Sequence, residues 1–177
     1  MSNLPKKCIV DTNVPMTANL VTKPDPNSDA PDSCINKCII AINSITQKGG
    51  LVLDDNGEIF AEYIANLPLR GQPGVGYAFA RWVHDNQWNA QKVDRVKITK
   101  NCASYDEFPG HDGLARFDNS DRKFIAVAYA HPEKPPVLQA TDSKWWGWKD
   151  ALNEVGITVH FLCPDYAMAK YAEKMGA

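Results

Sequence analysis

Lys6-Lys-Cys-Ile-Val-Asp11-Thr-Asn13 decides the reading of this chain. Three apolar residues held between charges are the pattern of a short central strand in a parallel sheet, which is buried on both faces and so reads as an unbroken apolar run. The run stops at Asp11, which places a carboxylate at the carboxyl end of the strand, where open α/β sheets form their ligand crevice. Leu51-Val-Leu53, Pro136-Val-Leu-Gln-Ala-Thr141 and Ile157-Thr-Val-His-Phe-Leu162 are further strand candidates, and Lys92–Lys100 alternates like an edge strand or hairpin arm.

Helical periodicity fills the intervals. A helix is predicted over 34–47, with Ile35, Cys38, Ile39, Ile42 and Ile45 on one face, Asp32 or Ser33 as its cap and Gly49-Gly50 as its stop. Others are predicted over 58–67, around Tyr77–Val83, and over 120–131, 142–154 and 164–174, the last with Pro164 at its start. Strands alternating with helices predict an α/β fold whose mainly parallel sheet is covered on both faces. Residues 1–177 read as one domain, with a Pro-rich surface loop at about 15–32 (Pro15, Pro24, Pro26, Pro31) and a second loop over 101–119.

Composition narrows the function classes. With 44% hydrophobic and 23% charged residues the chain is an ordinary globular one. Its richest apolar run, Cys34–Ile42, is interrupted by Lys37 and too short to span a bilayer, so no membrane partner is expected. Lys6 and Lys7 precede only three apolar residues, too few for a secretory signal, and a cytoplasmic location is expected. A net charge of −2 gives no bulk support to a nucleic-acid binder, although an acidic metalloenzyme can carry a local basic track. The five cysteines (8, 34, 38, 102, 163) lack a compact pattern, and free thiols are expected. Cys34 and Cys38 share a helical face, but structural zinc needs two more ligands.

Four acids have a common destination. Asp11 and Asp142 close strands, Asp121 starts a helix, and Glu62 lies in the short helix after Leu51-Val-Leu53, with Glu58 as its competitor. Two unit charges about 4 Å apart repel by about 4 kcal/mol at an effective dielectric of 20. A hard divalent cation, Mg²⁺ or Mn²⁺, removes that cost, activates water and stabilises charge on a phosphodiester. No Gly-x-Ser-x-Gly elbow or phosphate-binding Gly-x-x-x-x-Gly-Lys loop competes with this chemistry.

The four segments in order resemble PIN-domain ribonucleases: Ile9-Val-Asp-Thr-Asn13, Phe60-Ala-Glu-Tyr63, Asp121-Arg-Lys-Phe-Ile-Ala-Val-Ala128 and Leu138-Gln-Ala-Thr-Asp142. The resemblance implies a three-layer α/β/α sandwich and a Mg²⁺- or Mn²⁺-dependent endoribonuclease. It implies Asp11, Glu62, Asp121 and Asp142 as catalytic metal ligands, with Asn13 supporting Asp11 or the metal's water. It also implies the toxin role of the VapC-like members, with RNA as substrate, an antitoxin or other inhibitor as partner, and a homodimer. The Pro-rich loop and the long stretch from Gly71 to Asn119 depart from small toxins of that type.

Each acid also has a local reading. Asp11-Thr-Asn13 suits a polar turn, Asp118-x-x-Asp121 an N-capping arrangement, and Asp142 a helix cap. Asp118 and Thr141 are candidates for supporting the ligands. Arg81, Arg95, Lys97, Arg122 and Lys123 are candidates for RNA contact, beside a Trp145-Trp146-x-Trp148 cluster that suits either base stacking or the core. Two other function classes fit less of the chain: a catalytically inactive PIN-like module that binds RNA or protein, and an aspartyl-phosphate hydrolase, whose second Asp is replaced by Asn13.

Overall fold

The structure is a computed structural model and describes residues 4–176. Among these residues five short strands run parallel: β1 (Ile9–Val10), β2 (Leu51–Asp54), β3 (Val93–Val96), β6 (Val137–Gln139) and β7 (Val159–Phe161), with a small antiparallel hairpin, β4 (Lys100–Asn101) and β5 (Ser104–Tyr105), apart from them. β1 pairs with β6 and β6 with β7, while β2 pairs with β3. A bridge between Cys8 and Leu51 joins the two sets, giving the spatial order β3-β2-β1-β6-β7. Cys8 donates to the Gly50 carbonyl at 3.0 Å. Gly50 has φ +88°, and a Cβ there would lie 2.0 Å from the Lys6 carbonyl oxygen, so only glycine lets the strands approach.

Among the described residues seven α-helices surround the sheet: α1 (Asn13–Ala18), α2 (Asp32–Lys48), α3 (Glu58–Asn66), α4 (Val75–Asn86), α5 (Arg122–Ala130), α6 (Lys144–Glu154) and α7 (Pro164–Lys174). The fold is α/β around a small parallel sheet and is compatible with helices layered on both faces. α5 is enclosed along most of its length, with Lys123 to Ala128 all buried. Trp145, Phe117 and Phe124 pack into the same core. No helix among the described residues is long and apolar enough to cross a membrane.

Three expectations need correction. The Pro-rich segment is not a loop from its start, because Asn13–Ala18 is α-helical and Asn19–Val21 continues as a 3₁₀ turn. Pro15 occupies the third helical position, where an N–H has no intrahelical acceptor, so proline costs nothing there. The stretch 101–119 is not wholly loop but contains β5 and a 3₁₀ turn at Asp112–Leu114. The cysteines are not all free: Cys34 and Cys163 form a disulfide, with Cα atoms 5.5 Å apart. They are 129 positions apart in the chain, and only the docking of α2 against the β7–α7 turn makes them neighbours.

Candidate active site

Strand order reverses between β1 and β6, since β1, β2 and β3 progress in one direction and β6 and β7 in the other. The crevice of such a sheet opens at this switch point, beyond the carboxyl ends of the two strands. Asp11 follows β1 there, only 5% exposed, and the segment Ala140-Thr-Asp142 follows β6. Asn13 joins the two. Its amide nitrogen donates to Asp11 Oδ1 and to Gln139 Oε1, and its Oδ1 accepts from the backbone N–H of Ala140 (3.0 Å) and Thr141 (3.2 Å). The Asn13 backbone N–H adds a 2.9 Å bond to Asp11 Oδ1.

Glu62 reaches the site because α3 is fixed at two points. Asp54, fully buried at the end of β2, accepts from the N–H groups of Glu58 (2.7 Å) and Ile59 (2.9 Å) and so caps the helix. Tyr63 donates its hydroxyl to the Val10 carbonyl at 2.5 Å, holding α3 against β1. Glu62 then accepts a 2.5 Å bond from the Thr12 hydroxyl and pairs with Lys123. Its competitor Glu58 faces Lys100 (3.4 Å) and Tyr105 (3.3 Å) instead.

Asp121 sits at the start of α5 and accepts from the Trp145 indole N–H at 3.2 Å. Asp118 makes the local cap, accepting from Ser120 N–H at 3.0 Å, and forms an ion pair with Lys144 at 2.8 Å. Asp142 accepts from Lys144 N–H at 3.1 Å, so the capping reading and a place in the crevice coexist at this residue. Thr141 lies within 3.3 Å of the Thr17 hydroxyl, tying the loop before Asp142 to α1.

The four acids act on one another. Burial pushes the Asp11 carboxyl well above its ordinary value, and the charges of Asp121, Glu62 and Asp142 push it in the same direction. Asp121 is raised to about 6, first by burial and then by Asp142, Asp118 and Glu62. Asp118 moves the other way, to about 2, because Lys144 and Ser120 bond to its ionised form. Lys123 offsets Glu62, and Lys144 offsets Asp118 at 2.8 Å and Asp142 at 3.9 Å. Asp11 and Asp121 have no cationic side chain within 4 Å among the described residues.

This donor set suits a hard cation: it offers carboxylates and amide or hydroxyl oxygens, with no imidazole or thiol among them. Among the described residues, the only three His, Cys or acid ligand atoms mutually within 4.8 Å belong to Cys34, Cys38 and Cys163, so the acids share a field rather than a closed shell. Mg²⁺ fits such spacing because it keeps several waters and needs few direct carboxylates. Among the described residues, Gln139 Nε2 is a buried side-chain nitrogen without a hydrogen-bond partner beside the site.

The basic candidates lie elsewhere or are already engaged. Arg122 donates to Phe117 O, Ala115 O and Ser104 Oγ and stacks on Phe108, holding the 104–117 segment to α5. Lys123 is buried between Glu62 and the Ser120 carbonyl. Arg81 donates to Leu69 O, and Arg95 donates to Asp55 O while lying 3.9 Å over the Trp88 ring. Arg95 is on edge strand β3, two strands or about 10 Å from β1; Lys97 follows it, exposed. Trp145 is fully buried against Phe117, while Trp148 on Phe117 and Trp146 on Phe161 are only partly buried.

Sequence reading missed Thr12, Asp54, Gln139 and Lys144 as residues that shape the site. Asp54 had a usable signal, an acid closing a strand four residues before a helix; the others touch the site through tertiary contacts alone. Comparison with family models, curated proteins and solved structures finds no match for this chain.

Proposed function

We propose that this chain is a Mg²⁺- or Mn²⁺-dependent endoribonuclease of PIN type, hydrolysing RNA phosphodiester bonds. The observation that carries the reading is the pair of carboxylates without a counter-cation among the described residues, buried Asp11 at the topological switch point and half-buried Asp121, both in the field of Glu62 and Asp142. A buried charge without a partner is costly, and these groups either take a proton or hold a cation.

Asp11, Glu62, Asp121 and Asp142 are the residues that would hold the metal. When bound, it supplies an activated water and charge stabilisation at the phosphodiester. The chain's own contribution is positional. Asn13 orients Asp11 and fixes it to the loop that carries Asp142; Thr12 orients Glu62, and the Trp145 indole orients Asp121. Lys144, on the open side, is placed to exchange its pairing with Asp118 for the phosphate of an incoming strand. The α/β/α sandwich of PIN type, the toxin role, the antitoxin and the homodimer enter this proposal through the motif resemblance.

A second reading, a module that binds RNA or protein without cutting, is favoured by the lysine pairs, which neutralise Glu62 and Asp118 without a metal. Chelator-treated protein assayed on labelled RNA separates the two. Cleavage restored by Mg²⁺ or Mn²⁺ and abolished by both Asp11→Asn and Asp142→Asn supports the nuclease. RNA binding without turnover, unaffected by metal, refutes it.

A further inference from the structure

Away from the acids, three cysteines meet in the interior. Cys34 lies in the first turn of α2, Cys38 one turn further along the same face, and Cys163 is the N-cap residue of α7. All three are buried, and their sulfurs lie within 4.8 Å of one another. The Cys34–Cys163 disulfide uses two of them, and Cys38 is a third thiol beside the bond with no part in it. A structural disulfide needs two cysteines; nothing in its geometry calls for the third.

Burial pushes the Cys38 thiol up to about 12, so its thiolate forms only with a cation beside it. α2 and α7 both begin at the cluster, and neither N-terminus has a side-chain cap, so the positive ends of two helix dipoles lie beside the sulfurs and favour negative charge there. Cys8 is buried and its thiol raised in the same way, but it lies at the bridge between β1 and β2, outside the cluster. A cavity of about 100 Å³, lined by Cys34, Lys37, Cys163 and Asp165 among others, opens beside the cluster. It has room for a water or carboxylate oxygen and brings an ammonium group close by.

We propose that Cys34, Cys38 and Cys163 form a zinc site in the reduced protein, three thiolates from the chain with the fourth position filled from the adjoining cavity by water or Asp165. Three thiolates and Zn²⁺ carry one net negative charge, which the two helix ends and Lys37 offset. The site opens when a dithiol reductant gives two electrons and two protons to the Cys34–Cys163 bond, leaving two thiols and becoming a disulfide itself. Zinc then displaces three thiol protons. Disulfide and zinc are thus alternative ties between α2 and the β7–α7 turn: the bond where the compartment is oxidising, the metal where it is reducing.

The test uses the full chain, reduced with a dithiol, freed of it by anaerobic gel filtration, and titrated with Co²⁺ and then Zn²⁺. The expected result is a near-ultraviolet thiolate-to-cobalt band saturating at one equivalent and bleached by one equivalent of Zn²⁺, with one zinc per chain by native mass spectrometry. Cys38→Ser and Cys163→Ser lose the band, Cys102→Ser keeps it, and the oxidised protein never shows it. Oxidised Cys38→Ser should melt like the oxidised wild type, which checks its fold. Absence of the band in the reduced wild type, or its full retention in Cys38→Ser, overturns the proposal. The Asp11→Asn/Asp142→Asn double variant keeps the band whether or not the acids serve a nuclease.

Discussion

Replacing Asp121 by asparagine is expected to stabilise the metal-free protein while destroying the proposed activity. Asp121 is raised from 3.8 to about 6 by burial and by three neighbouring carboxylates. A carboxyl whose folded value exceeds its unfolded one holds a proton in the native state that the unfolded chain releases, so native stability falls as pH rises through that window. The loss begins near pH 4 and is complete above pH 6. Two pKa units correspond to about 3 kcal/mol, an upper figure because solvent reaches part of the group. Asparagine cannot ionise, and its carbonyl oxygen can still accept the Trp145 indole N–H. For a chain of 177 residues the variant should therefore melt up to about 6–12 °C higher at pH 7.5 and no higher at pH 4. Thermal unfolding of chelator-treated protein at the two pH values measures this, and saturating Mg²⁺ should narrow the gap by stabilising only the wild type. A variant no more stable than wild type at pH 7.5, or equally stabilised at pH 4, would refute the electrostatic account of the site.

Three further outcomes follow from the same contacts. Asn13→Ala should leave the Thr141 N–H without its acceptor and the Ala140 N–H with Gln139 Oε1 alone, costing about 1–3 kcal/mol in denaturant unfolding and on the order of 10²-fold in metal-dependent cleavage through misplaced Asp11 and Asp142. Trp145→Phe removes a hydrogen bond to the ionised form of Asp121, so the acid limb of a pH–rate profile should move to higher pH; an unmoved limb would separate Asp121 from the chemistry. Tyr63→Phe strips a buried hydroxyl from the Val10 carbonyl and should cost about 1–3 kcal/mol, measured by chemical denaturation, with cleavage falling because α3 carries Glu62.

Asp11, Lys123 and Arg122 show how far a linear reading reaches at the site. Asp11 is legible because a carboxylate closing an apolar run has one place to go in a parallel sheet. Lys123 follows Asp121 and Arg122 in the chain and reads as a solvated base suited to phosphate; instead it is buried beside Glu62, because α5 is enclosed on nearly every side. Arg122 likewise reads as a free cation, yet its guanidinium is spent on the backbone of the segment before it. Charge in a sequence says nothing of whether a partner already waits.

Strand and helix positions followed from the sequence because they depend on short-range causes: apolar runs, 3.6-residue periodicity, Gly49-Gly50 as a stop and Pro164 as a start. The helix over Asn13–Ala18 escaped because proline counts as a breaker until its place in the first turn is known. The bonds that hold Asp11, Glu62 and Asp121 in place, the division of lysines among the acids, and the meeting of Cys34 with Cys163 belong to the tertiary structure alone. They are set by which strands pair and how α2, α5 and α7 dock, and those choices rest on burial summed over the whole core rather than on any local run of residues.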